Sequence, residues 1–303
     1  MTTVAEETNR GGNLGEPSET ASIERVFAQI GEISTLPDVA LRIMAVAADP
    51  ASAADDLLET VRSDPSIAMR LMRTVNSSYY ALTEKAADLK QAITLLGFEE
   101  VRNLALTAHV ARLFKTTAGH GRYHRRDLWD HMVATGVVAR LIAKTCGKAS
   151  PQEAYAAGLL HDVGLILIDQ QLHKGFCRVV DALSEKAPIC EVERRILGFD
   201  HAALGEFVAR KWNLPETLAT AIGEHHAVAQ YDGPQQHVVS VVALANFLCH
   251  LKGIPSLGVR NVQMPPTRTF DALALGKQQI AQILTQLDEA LRAANMMAIA
   301  QVP

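Results

Sequence analysis

Apolar residues recur along this chain every three or four positions, the period of a helix that buries one face. Ile23, Val26, Phe27 and Ile30 form the first such stripe, and Val39, Ile43 and Val46 the second, with Pro37 ahead of it as a starter. Ser52 and Asp55 resemble a capped start before Leu57, Leu58 and Val61. Asp64-Pro65 opens a helix whose inner side is Ile67, Leu71, Met72 and Val75. Ile93 to Leu96, and then Val101, Leu104, Ala105, Ala108 and Leu113, predict two more. The pattern breaks around Ala118–Tyr123 and resumes as a long helix from about Asp127 to Cys146, closed by Gly147. Ser150-Pro151-Gln152-Glu153 reads as a capping box with proline at the first helical position. Further helices are expected to start near Pro188, Asp200, Pro215 and His237. Residues 253–268, with three prolines, read as a linker, and residues 271–298 as one last amphipathic helix. No stretch sustains period-two alternation and no internal repeat is visible. The expected fold is all-α: a tail over 1–20, a helical half over 21–117, a second helical half over 118–252, then linker and C-terminal helix over 253–303.

Composition narrows the function class. A 303-residue chain that is 48% hydrophobic and 20% charged is an ordinary globular composition. Its formal charge of -4, of which the four Glu and one Arg of residues 1–20 account for -3, supplies no basic field for nucleic acid. The basic run Arg122–Arg126 reads as a solvated loop. Cys146, Cys177, Cys190 and Cys249 show no metal-finger spacing and read as small hydrophobes in a reducing compartment. The N-terminus has no apolar core of a signal peptide, and Val238–Leu251 is too short and too interrupted to span a bilayer. A cytoplasmic location, without nucleic acid or membrane as partner, is the expectation.

Candidate chemistry gathers in the second half. All eleven histidines lie between His109 and His250. His161-Asp162, in AGLLHDVG, can offer an imidazole nitrogen and a carboxylate oxygen to one divalent metal, with room to bridge a second. His131 sits mid-helix among apolar residues, His201 follows the N-cap candidate Asp200, and His225-His226 ends another helix. Asp127, four residues before His131, shares its helical face. Imidazoles on facing helices of a bundle are a common way to build a metal site.

This order of residues resembles the HD superfamily of metal-dependent phosphohydrolases, and its HD-GYP branch in particular. LPDVALRIMAVAADP, SDPSIAMRLMRTVNSSYY, LKQAITLLGFEEVRNLAL, AGLLHDVGLILI and GFDHAALGEFVARKWNLPETLATAI are similar to the HDOD domain, a bacterial signalling module related to HD-GYP. The resemblance runs from about Ile23 to Leu251. It implies a helical N-terminal subdomain packed on an HD-like bundle and a regulatory role. The implied metal ligands are His131, His161, Asp162, His201, His225 and His226, for Fe, Mn or Zn. The other histidines, His250 among them, are left without a role.

Departures from the hydrolase pattern bear on catalysis. Asn246 stands in Ala245-Asn246-Phe247-Leu248, where active relatives place a last Asp ligand. Leu165 replaces the lysine of HDxGK, Ala227-Val228 replaces the Glu after the paired histidines, and the GYP signature is missing. The expectation is a signalling adaptor with a degenerate, non-hydrolytic metal site and a protein partner. The alternative is a phosphohydrolase of a nucleotide or cyclic dinucleotide, with His161 and Asp162 at its catalytic centre. The apolar stripe of the C-terminal helix, with Met296 and Met297, is a candidate homodimer surface.

Overall fold

The computed structural model describes residues 19–30, 42–43, 46, 52–76, 85–114, 119–260 and 263–301. Helices α1 (Glu19–Ile30), α2 (Ala54–Arg62), α3 (Pro65–Val75), α4 (Leu89–Leu96) and α5 (Phe98–Val110) come first, and α5 runs into a 3-10 turn, Ala111–Phe114. Two short antiparallel strands, β1 (Gly119–His120) and β2 (Tyr123–His124), follow. The second half contains α6 (Arg125–Cys146), α7 (Pro151–Leu160), α8 (Val163–Gln171), α9 (His173–Ala182), α10 (Ile189–Leu197), α11 (His201–Lys211), α12 (Glu216–Glu224) and α13 (Gln236–Leu251). Helices α14 (Thr267–Ala272) and α15 (Lys277–Gln301) close the described chain. The fold is all-α apart from that hairpin.

Local chemistry sets several helix ends. Asp64 caps α3 by accepting from the Ser66 N–H at 2.8 Å, Ser150 caps α7 from the Glu153 N–H at 3.3 Å, and Asp200 caps α11 from the Ala203 N–H at 2.8 Å. Gly147 ends α6 at φ 63°. Ser52 does not cap α2. The N-cap is Ala53, whose N–H donates to Asp56 Oδ2 at 2.8 Å, so the carboxylate three residues inside supplies the hydrogen bond. Asn76, after α3, holds the Ala86 backbone from both sides, with Oδ1 accepting at 2.8 Å and Nδ2 donating at 3.1 Å.

Helix α6 is buried nearly all round, packed against α7, α13 and α15. It meets α7 through Gly136 and Gly158. A Cβ on Gly158 would lie 2.8 Å from the Thr135 oxygen and 2.9 Å from the Gly136 Cα, so only glycine permits this crossing. The close approach brings His131 of α6 beside His161 at the end of α7. The N-terminal helices join this bundle through α5, where Arg140 pairs with Glu100 at 3.0 Å and the hydroxyls of Thr107 and Tyr155 lie 2.8 Å apart. Helix α1 instead packs on α11, with Phe27 edge-on to Phe207. Trp129 and Trp212 are core residues.

Several expectations are corrected. The segment 122–126, read as a solvated basic loop, runs from the hairpin into α6; Arg122, His124 and Arg126 are exposed, but the Tyr123 hydroxyl and Arg125 Nε donate to the fully buried Asp169 at 2.9 and 2.5 Å. His173 Nδ1 completes that carboxylate's partners at 2.8 Å. The C-terminal helix is two, α14 and α15, broken where Ala274 takes φ 50°. Part of the apolar stripe of α15 is used within the chain: Ile283, Leu287 and Ala294 are buried, the helix lying against α6 and α3. The Met296 and Met297 side chains lie outside the described residues. So does most of the second expected helix, though Ile43 is fully buried. Of the expected tail, Glu19 and Thr20 already belong to α1, and the rest lies outside the described residues. No helix among the described residues is long and apolar enough to cross a membrane.

Candidate metal centre

Helix ends place the ligand-type side chains. His161 follows α7 and Asp162 precedes α8, so the chain turns a corner at this pair. His201 is the first residue of α11, and His225 follows the last turn of α12. His131 projects from the middle of α6. All five are buried, and four of them are 0–3% exposed histidines around the carboxylate of Asp162. His131 Nε2 and His161 Nε2 lie 3.5 and 3.3 Å from Asp162 Oδ2. His201 Nε2 and His225 Nε2 lie 3.3 and 3.7 Å from Asp162 Oδ1.

The far nitrogen of each ring fixes what the near one can do. His131 Nδ1 lies 2.7 Å from the Ile254 carbonyl, His161 Nδ1 2.7 Å from that of Gly158, and His225 Nδ1 2.7 Å from that of Ile222. His201 Nδ1 lies 2.6 Å from Glu193 Oε2. A carbonyl only accepts, so in His131, His161 and His225 Nδ1 carries the proton and donates, and a neutral ring then presents a bare lone pair at Nε2. These lone pairs face a carboxylate and one another: His131 Nε2 and His161 Nε2 are 3.3 Å apart, and His225 Nε2 has no hydrogen-bond partner. His201 differs, because burial lowers its pKa but the Glu193 carboxylate outweighs it and holds the ring well above the usual imidazole range, so a cation there takes the place of a proton on Nε2. Acceptors converging on acceptors in a buried space call for a cation. Burial holds His131 near a pKa of about 3 and His225 near about 4, which keeps both rings neutral. Burial works against the charge of Asp162 too, yet the surrounding imidazoles, His161 first, hold it well below the usual carboxylate range.

Two groups of ligand-type atoms share Asp162. One is His131, His161 and Asp162; the other is Asp162, His201, His225 and His226, and within each the atoms lie within 4.8 Å of one another. The donor set therefore fits a divalent cation, with Asp162 able to bridge two. His226 is the exposed member, its ring centroid 4.1 Å from that of His225.

The remaining candidates separate. Asp127 is exposed on the first turn of α6 and belongs to none of the ligand groups among the described residues. Sharing a face with His131 did not suffice, because one turn of helix carries it out of the core. Asn246 does reach the site, where its Oδ1 is buried, without a partner, in the lining of a cavity of about 590 Å³ that exposes Asp162, His225 and His226. Leu165 is fully buried and not part of that lining. Two residues went unread in the sequence. His250, one turn after Asn246, lines the cavity with its ring centroid 5.2 Å from that of His131. Glu193 is 1% exposed and holds His201. The i, i+4 spacing from Asn246 was a usable signal for His250; nothing local marks Glu193, which looks like any acid on an amphipathic helix.

The sequence profile of the HDOD domain family matches residues 33–228. An uncharacterized protein of Treponema pallidum is 25% identical over 237 residues, 77% of this chain and 45% of that protein. YuxH of Bacillus subtilis is 24% identical over 179 residues, 57% of this chain and 41% of its own. This chain thus spans less than half the length of these two curated relatives. Among solved structures, an HDOD domain protein of unknown function from Geobacter sulfurreducens superposes with a TM-score of 0.79 at 26% identity, covering 92% of this chain and 98% of that one. A Shewanella amazonensis protein named as a candidate phosphohydrolase gives 0.69 at 20% identity, covering 92% and 98%, a likeness of fold. With the profile covering well over half of its length, the chain belongs to the HDOD domain family.

Proposed function

We propose that this protein is a signalling module whose imidazole–carboxylate centre holds a divalent metal without hydrolysing phosphodiesters. The observation that carries the metal is the convergence of four imidazole Nε2 atoms on Asp162, with those of His201 and His225 unpartnered. When bound, the cation supplies Lewis-acid charge at the cavity floor. The chain's own residues orient the ligands through Nδ1 and leave Asp162, His225 and His226 on the face toward the cavity.

The same cavity argues against turnover. Arg194 is the one Lys or Arg in its described lining, and it is already paired with Asp200 at 2.5 Å. Asp162, Glu191 and Asp200 make the lining acidic, a poor surface for a polyanionic substrate. Asn246 offers an uncharged oxygen where a carboxylate would add a negative charge. In this reading residues 118–252 form the metal-bearing half, residues 21–117 the docking half, and a protein partner reads the state of the centre.

The test is metal analysis with a hydrolysis assay. Protein purified after Fe, Mn or Zn supplementation is expected to carry metal and to leave bis(p-nitrophenyl) phosphate and cyclic di-GMP intact. Asn246→Asp is expected to tighten metal binding by about tenfold or more, the scale of one added charge near the ion. Steady turnover of either substrate by the parent protein would overturn the non-hydrolytic reading in favour of a phosphohydrolase.

A further inference from the structure

The four Nδ1 tethers differ in where they lead. Those of His161 and His225 end three residues back on carbonyls of their own helices, Gly158 and Ile222. The other two leave the ligand's element and reach segments that line the cavity. His131 is tied to the carbonyl of Ile254, at the start of the segment whose Ser256, Leu257 and Val259 belong to the lining. His201 is tied to Glu193 on α10, the helix whose Ile189, Cys190 and Arg194 also belong to it.

The α10 tether is the more specific of the two. Glu193 Oε2 accepts twice from one residue, from the His201 ring at 2.6 Å and from its backbone N–H at 3.1 Å. It therefore fixes both the imidazole and the first turn of α11. Next to it, Arg194 pairs with Asp200, the N-cap of α11, at 2.5 Å. Oε1 of Glu193 is buried without a partner, so the carboxylate has no hydrogen-bonding claim on it other than His201 among the described residues.

We infer that Glu193 is the positioning residue that links metal binding at His201 to the order of the α10 wall. The inference rests on the proposed metal centre and assigns its regulation. Geometry gives the direction. A cation drawing on His201 Nε2 makes the Nδ1–H a stronger donor, and the buried carboxylate that receives it is anchored on α10. Metal binding then tightens α10 against α11, and whatever orders α10 from the cavity side raises metal affinity by the same factor, since coupling is reciprocal.

Two measurements test this. Titration with Mn2+ is expected to show weaker binding by about 10-fold in Glu193→Gln, which keeps an acceptor but no charge, and by up to about 100-fold in Glu193→Ala, the range for removal of such outer partners. Hydrogen exchange is expected to show Mn2+-dependent protection at residues 189–197 in the parent and its loss in Glu193→Gln, with protection at 158–162 retained. A merely structural role would lower the metal-free melting temperature and leave that metal-dependent difference unchanged. Parent-like Mn2+ affinity in both variants, or α10 exchange indifferent to Mn2+ in the parent, would overturn the inference. A parent protein that binds no metal would instead refute the metal centre itself.

Discussion

Gly164 is the second residue of α8 and faces the first residue of α11 at close range. A Cβ there would stand 2.0 Å from the His201 carbonyl oxygen, 2.8 Å from its carbon and 3.0 Å from its Cα. All three are backbone atoms that cannot rotate aside. Bringing the shortest contact to the 3.0 Å limit below which Cβ contacts essentially never occur requires a shift of at least 1.0 Å. Helices α8 and α11 must then separate, and the approach most directly lengthened is Asp162 Oδ1 to His201 Nε2, now 3.3 Å. Overpacking of this kind costs roughly 1–3 kcal/mol, and the rigid neighbours place Gly164→Ala near about 3. At about 2 °C per kcal/mol for a chain of this size, the melting temperature should fall by about 6 °C. Metal ligation tolerates errors of only about 0.2 Å, so affinity should drop by at least about tenfold. Gly175→Ala on α9 is the control, because its Cβ would meet only the flexible Leu197 Cδ2 at 2.7 Å. Helix propensity should leave it unchanged or stabilised by up to about 1 kcal/mol. Calorimetry and Mn2+ titration of both variants decide the matter. A Gly164→Ala protein that melts within 2 °C of the parent, in roughly the range of error, and binds Mn2+ equally well would refute the close-packing account.

Two further outcomes follow from groups away from the centre. Asp169→Asn leaves Arg125, whose side chain is 12% exposed, without its buried counter-ion and presents an amide N–H toward the donors Tyr123 and His173. A loss of about 3 kcal/mol is expected in urea unfolding, and a loss under about 1 would show that the hairpin is not anchored there. His109, 8% exposed, has its pKa lowered to about 4, first by burial and then by Arg112. Its unfolded form binds a proton from about pH 6.5 downward while the folded form stays neutral to about pH 4, so stability is full above that window and declines through it by about 3 kcal/mol. His109→Gln should flatten that part of the pH–stability curve, and an unchanged slope would count against buried neutral His109.

Helix starts were legible because each is local chemistry: Asp64, Ser150 and Asp200 act as caps within three residues of themselves. The corner at His161-Asp162 and the break at Leu172 were not, since the apolar residues on both sides of His161-Asp162, from Ala156 to Ile168, read as one buried helix. The hairpin escaped because its ordering comes from Asp169, more than forty residues further on. In the candidate site, motif order picked out the six residues that the fold gathers at Asp162. It over-reached at Asp127, where a shared helical face says nothing about depth. It missed Glu193 and His250 because their roles depend on which helices meet, a property of tertiary packing rather than spacing.

Everything proposed for this site requires that Asp162 and its four imidazoles bind a cation. Elemental analysis of the parent beside Asp162→Ala, each purified from Fe-, Mn- and Zn-supplemented cells, tests it most directly. At least one bound ion per chain is expected in the parent and little or none in the variant, with both proteins folded by circular dichroism. Folded parent protein without metal, or a variant that keeps its full complement, would contradict it.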